Sequence, residues 1–284
     1  MPHLFSFTPS CLFRLAVTTI VFGLLSPAFL VAEGLPDKNL ETAIRGVLFD
    51  KKDPSKPLAD DDFKNVYILE AKGKGIKDLN GLEKCTNLQL LNLAKNEITD
   101  LTPIKDLKKI QSLDLSKNQI ADIAPLVELK GLQFLELSDN KVTDITPLKG
   151  LVKLSALYMA GNQVTDLAPL TEITRLSSLD VAGNQVVDLK PLETVNQLSL
   201  LKLSGNKIVD IAPIAKQTQV RMLFIDRNQV ADLAPLVAAA KEDASGKKRF
   251  APFLRLYLKE NPLSEDAQKN QISALKEAGV RIEG

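Results

Sequence analysis

The chain contains no tryptophan, one histidine and two cysteines in 284 residues, and each scarcity removes a class of chemistry. His3 and Cys11 both lie in the first 32 residues, a stretch whose only strong charge is Arg14. From Leu15 to Ala32 the apolar run is broken only by Thr18, Thr19, Gly23, Ser26 and Pro27. A basic start, an apolar middle and small residues before a polar stretch are the marks of a secretory signal peptide. Cleavage is expected after Ala32, with Ala28 as the second choice. The alternative is an uncleaved anchor, because 18 apolar-rich residues approach the lower limit for crossing a bilayer. No small-residue lipobox precedes Cys11, which argues against lipid attachment there.

Without residues 1–32 no histidine remains, so Ser–His and Cys–His catalysis and histidine-ligated zinc are excluded. Cys85 becomes the sole thiol and has no partner for an internal disulfide. An excess of positive charge is also missing. The formal charge of +1 falls to zero once Arg14 is removed, which leaves no electrostatic footprint for nucleic acid. No glycine-rich loop is present to cradle a phosphate, so no cofactor is expected.

What the sequence does contain is a period. Asparagine recurs at Asn96, Asn118, Asn140, Asn162, Asn184, Asn206 and Asn228, each 22 residues from the last. Around it stands a constant frame, as in Leu113-Asp114-Leu115-Ser116-Lys117-Asn118 followed by Asp122, Pro125 and Leu126. Leucines two apart, such as Leu91 and Leu93, point to one face of a short strand. One such strand cannot bury its own apolar edge, but stacked coils can, leaving a parallel sheet on one side and a leucine column inside. Leu115, Leu137 and Leu157 are expected in one stack. The asparagine is expected to turn inward and satisfy backbone groups of the turn, since a buried unpaired polar group costs about 1–3 kcal/mol.

Each Asp-Leu/Ile-x-Pro-Leu/Ile segment forms the other half of a coil. Proline suits the first turn of a short helix, with a polar residue ahead of it as cap. Asp78, Asp100, Asp122, Asp144, Asp166, Asp188, Asp210 and Asp232 therefore read as turn and cap residues rather than as metal ligands, and no metal is expected.

These residues resemble the leucine-rich-repeat family, most closely the 22-residue subclass found in internalins and in the regulatory subunit of protein phosphatase 1. The resemblance covers roughly residues 66–263. It implies an α/β fold: a right-handed, curved horseshoe solenoid with a parallel β-sheet on the concave face and short helices or turns on the convex face. It also implies recognition of a protein through the concave face. Internalins of the best-known kind carry a cell-wall sorting signal or other attachment modules, which the sequence up to Gly284 does not display. The resemblance therefore extends to fold and mode of action, and to no named receptor.

The expected organisation is a signal peptide at 1–32, an N-terminal helical cap at 33–65, nine coils at 66–263 with an insertion at about 238–252, and a C-terminal helical cap at 264–284. In the first cap, Leu40, Ile44, Val47 and Leu48 form an apolar helical face, and Phe63 reaches the core from a second short helix. The first coil is degenerate, with Lys74 at the asparagine position and Gly81 at the proline position. Residues 243–249 read as an exposed basic loop, and the last helix is expected near Glu265 to Ala278.

Repeat position also predicts which side chains leave the sheet outward. The residue before each first strand leucine gives one row and the residue between the two leucines gives a second. Nothing in the folding frame requires either row to be large and apolar, so aromatics there indicate contact with a partner, or packing on one another and on the caps. The candidate partner-binding residues are Phe134, Tyr158, Leu200, Met222, Phe224 and Tyr257, with Asp114, Glu136 and Asp180. The last three form, with Glu70, an acidic stripe suited to a basic counterpart. Carboxylates one or two coils apart reach the separation of a glycosidase pair, but an open sheet gives neither the enclosure needed to raise one pKa. The sequence thus predicts an exported, monomeric, non-enzymatic protein, periplasmic or extracellular, that binds a protein partner. A glycan-binding or structural envelope protein is the alternative.

Overall fold

The computed structural model describes residues 34–246 and 248–283. The expected signal peptide at 1–32 and Lys247 of the expected basic loop lie outside the described residues.

Ten three-residue strands form one sheet: β1 Ile68–Glu70, β2 Leu90–Asn92, β3 Ser112–Asp114, β4 Phe134–Glu136, β5 Ala156–Tyr158, β6 Ser178–Asp180, β7 Leu200–Lys202, β8 Met222–Phe224, β9 Arg255–Tyr257 and β10 Arg281–Glu283. They are parallel and lie in sequence order. The middle residue of each strand from β1 to β9, a leucine every time, is buried, and Leu113, Leu135 and Leu157 stand in register. Leu157 therefore does not join Leu115 and Leu137, as the expected stack had it. That inner row continues through Met159, which takes the second-leucine position in its coil and is fully buried.

Two side-chain devices end each strand and close each turn. The residue before the asparagine adopts the left-handed conformation, with φ of 57° at Lys95 and Lys117, 58° at Asp139 and 65° at Gly183. The asparagine then folds under the turn. Asn140 Oδ1 accepts the Ile120 N–H at 3.0 Å, and its amide donates to Leu115 O at 3.0 Å and Leu137 O at 2.9 Å. The same pattern runs from Asn96 to Asn261, so each asparagine completes the turn of the coil before its own. All seven asparagines of the period are buried.

On the far side of each coil, Asp100, Asp122, Asp144, Asp166, Asp188, Asp210 and Asp232 accept the N–H two residues on, at 2.7–2.9 Å. Proline stands in the first turn that follows, which is a 3-10 turn in the early coils, as at Thr102–Ile104. It becomes helix at α3 (Ala212–Ala215) and α4 (Ala234–Ser245), numbered after α1 (Lys38–Val47) and α2 (Asp60–Phe63).

The first end is closed by α1, which buries Leu40 and Ile44, with Leu48 just beyond its end. Val47 faces solvent, contrary to its expected place on that face. Its role falls to a buried ion pair in which Arg45 Nη2 lies 2.6 Å from Glu41 Oε1, while Arg45 Nη1 donates to the carbonyls of Lys51, Asp53 and Lys56. Asp37 caps α1 through Asn39 N and Leu40 N and also accepts from Lys77 N and Asp78 N, which ties the helix to the first coil. Although burial opposes it, these four backbone donors hold the Asp37 carboxyl below its ordinary range.

At the other end, Met222 pairs with Arg255, so the insertion lies wholly between β8 and β9. The stretch expected as an exposed basic loop is partly structured. Asp243, in the last turn of α4, accepts the N–H groups of Arg249, Phe250 and Ala251 at 2.9–3.0 Å, and Phe250 is buried. The last helical segment, a π-turn at Ala267–Gln271 running into α5 (Ile272–Glu277), buries Ala267 and Leu275. After Gly279, at φ 102°, the chain returns as β10, which the expected helical end did not include.

Candidate partner-binding face

Because the strands from β1 to β9 bury the middle residue and, Asp180 on β6 apart, leave the two beside it at least partly exposed, each coil presents two side chains on the outer face of the sheet. Register then brings those of neighbouring coils side by side at a spacing of about 4.8 Å. The expected site residues fall into three groups. Phe134 on β4 and Tyr158 on β5 stand with ring centroids 5.7 Å apart, tilted by 50°. Phe224 on β8 and Tyr257 on β9 stack at 4.1 Å, nearly parallel at 8°. Leu200 and Met222 sit in register on β7 and β8, in the outward row beside the one that holds Phe224 and Tyr257. All six are half-buried. They leave the sheet outward as the repeat predicts, but shelter one another laterally.

The acids form the third group. Asp114 and Glu136 are register partners on β3 and β4, and Asp180 pairs in register with Tyr158. Asp114 is held by Ser116, whose N–H and Oγ donate at 2.9 and 2.7 Å. Asp180 is only 8% exposed and makes a 3.1 Å ion pair with Lys202. Lys202 Nζ also lies 5.9 Å from the Phe224 ring centre. Burial pushes the Glu136 carboxyl above its ordinary range, the Ser138 hydrogen bonds oppose this, and Asp114 and Asp180 add to it.

Several exposed groups escaped the reading by repeat position. Phe253, in the insertion, is 57% exposed, with the Arg221 guanidinium 5.5 Å from its ring centre. Phe49 is 89% exposed in the N-terminal cap, and Tyr67 and Ile68 are exposed at the first strand. Only Ile68 falls on one of the two outward rows. Phe49 and Phe253 lie where the period is interrupted, so no register assigned them a side, although Pro252 beside Phe253 signals a turn.

Cys85 belongs to the core. Burial raises its thiol to about 12, with Glu83 adding to the effect, which keeps it protonated at neutral pH as a small core side chain. On the opposite side from the sheet, a groove of about 680 Å³ runs between α3 and α4, lined in part by Ala212, Ala215, Pro235, Ala238 and Ala239. Among the described residues no helix is long and apolar enough to cross a membrane.

A single-layer parallel sheet built from restated leucines, asparagines and prolines, with two free outward positions per coil, defines the leucine-rich-repeat binding modules. A family profile for leucine-rich repeats in two copies matches residues 86–128, 108–150 and 130–172. Internalin C2 of Listeria monocytogenes is 35% identical, with a TM-score of 0.69 over 72% of this chain and 89% of that one. The chain belongs to the internalin-like leucine-rich-repeat proteins. The same fold recurs in a leucine-rich-repeat protein of Leptospira interrogans, at 24% identity and a TM-score of 0.62 over 72% of this chain and 50% of that one. It recurs also in the ectodomain of a plant membrane receptor kinase from Arabidopsis thaliana, solved in complex with Casparian strip integrity factor 2, at 21% identity and 0.60 over 70% and 25%. No curated protein sequence matches the chain.

Proposed function

We propose that this is an exported, non-enzymatic, monomeric protein that recognises a protein partner through the outer face of its sheet. One observation carries the reading. Two aromatic pairs, Phe134 with Tyr158 and Phe224 with Tyr257, occupy positions that the repeat leaves free of any folding duty. Large side chains that the frame does not require, half-sheltered and beside charged groups, have the composition of binding hot spots. The apolar stretch at Leu15 to Ala32 supports export as a signal peptide, and with it a periplasmic or extracellular location.

Capture from extracellular and envelope extracts, followed by titration of the captured partner, tests the reading. Replacing Phe134 and Tyr158 together by alanine is expected to weaken binding by about 1–4 kcal/mol with little change in thermal unfolding. Undiminished affinity in a stable double variant would reject this face as the site. Retention on purified cell-wall polymer, lost on the same substitutions, would replace the protein partner with a glycan.

A further inference from the structure

The outer face is electrically two-ended. On β3 to β6 every outward charged side chain is acidic: Asp114, Glu136 and Asp180. On β7 to β10 the outward charges are Lys202, Arg255 and Arg281, with a single acid, Glu283, on the outermost strand. The change of sign falls at one place, where Asp180 and Lys202 close an ion pair across adjacent strands at 3.1 Å. Each half holds one aromatic pair, and the two pairs are four strands apart, about 19 Å at the usual strand spacing.

Resting on the reading of this face as a protein-binding surface, we propose that its partner is an extended or protruding protein segment with two apolar anchors and opposite charge at its two ends. Its basic end lies over β3 to β6 and its acidic end over β7 to β10. The acidic half is the less satisfied of the two. Asp180 has Lys202, whereas Asp114 and Glu136 are held by the adjacent serines, and Glu136 carries the repulsion of both neighbouring acids. A cation supplied from outside relieves that repulsion, and it meets the Phe134 and Tyr158 rings beside it. At the other half, the Phe224–Tyr257 stack has Lys202 in register on its β7 side and Glu283 on its β10 side, with Arg255 two residues before Tyr257 on the same strand. It takes an apolar side chain whose neighbouring carboxylate lies toward Lys202 and Arg255. Docked the other way round, the segment would set acid against Asp114 and Glu136 and base against Arg255. Like-charge contact of that kind rejects the reversed orientation.

The test uses the purified chain and three synthetic peptides: Lys-Phe-Lys-Gly-Ser-Gly-Glu-Phe-Glu, a version with lysine in place of both glutamates, and a version with glutamate in place of both lysines. When extended, each places its two phenylalanines about 20 Å apart. A nitroxide is attached to one end or the other, and line broadening of the backbone amides is read by NMR. The expected result is that a label on the lysine end of the mixed peptide broadens β4 and β5, and a label on the glutamate end broadens β8 and β9. The mixed peptide should bind about three- to tenfold more tightly than either uniform one at low salt. The variant Asp114→Lys/Glu136→Lys, checked for fold by circular dichroism, should remove that preference. Equal broadening of both strand groups from either end overturns the polarity while the face stands as a binding surface. Broadening confined to residues off the sheet, or none with any peptide, overturns the reading of the face and the polarity with it.

Discussion

Asn140 satisfies three backbone groups with one amide, and two of them belong to the coil before its own. No apolar residue can do this, so Asn140→Ala is expected to destabilise the fold by about 2–4 kcal/mol, read from urea unfolding. A loss below about 0.5 kcal/mol would mean that water replaces the amide. Glu136 makes a prediction of the opposite kind. Its folded pKa is raised, chiefly by burial, so the folded state holds the proton in a window just above the ordinary glutamate range where the unfolded chain has released it. Stability therefore falls as pH rises through that window. Glu136→Gln, which keeps an acceptor for Ser138 N, should remove the fall. Melting temperatures of the two proteins measured across this range should diverge as pH rises; parallel curves would refute the shift. Much of this was legible in the sequence. The inward turn of the asparagine follows from its strict recurrence, and the outward direction of Phe134 follows from its place beside a leucine. Lateral shelter was not legible, because it depends on the angle between rings on different coils.

At the scale of elements, capping carboxylates bind parts that the period does not. Asp243 joins the end of α4 to the insertion through three backbone donors, which outweigh burial and hold its carboxyl low. Stability from a lowered carboxylate is present above the unfolded pKa and lost as pH falls through the folded one. Asp243→Ala should accordingly speed amide exchange at Phe250 and Ala251 and leave β3 to β6 unchanged. Unaltered exchange at those two amides would show that the insertion holds itself. Within the repeat the contrast is between the inside and the outside of a coil. Leu137→Ala should cost about 2–5 kcal/mol, whereas Lys149→Ala loses only an exposed ion pair with Glu172 and should change little. Equal denaturant midpoints would contradict the register. Elements that repeat were readable because each coil restates the same side chains. Strand β10 was not, since Arg281-Ile282-Glu283 offers one apolar residue and no asparagine. Its pairing with β9 is imposed by α5 and the left-handed turn at Gly279.

The molecule as a whole is joined coil to coil, and each strand from β2 to β9 pairs only with its sequence neighbours. Stability in such a stack is a sum of coils and interfaces, so the ends open first. Hydrogen exchange should be slowest in β4 to β6 and faster toward β1 and β10; uniform protection would indicate a single cooperative unit. The same asparagine ladder also gives the chain a direction in time. A turn is completed only when the next asparagine arrives from the C-terminal side, as Asn118 does for Ile98 and Asn140 for Ile120. A chain synthesised from its N-terminus therefore trails one open coil, whose backbone groups stay with water until 22 more residues have emerged, or 33 at the insertion between Asn228 and Asn261. The last such arrival is Asn261, which accepts from Val230, and Gln271 then closes over Leu233. Assembly runs like a row of latches, each fastened by the next, with Asn261 and Gln271 fastening the last of them.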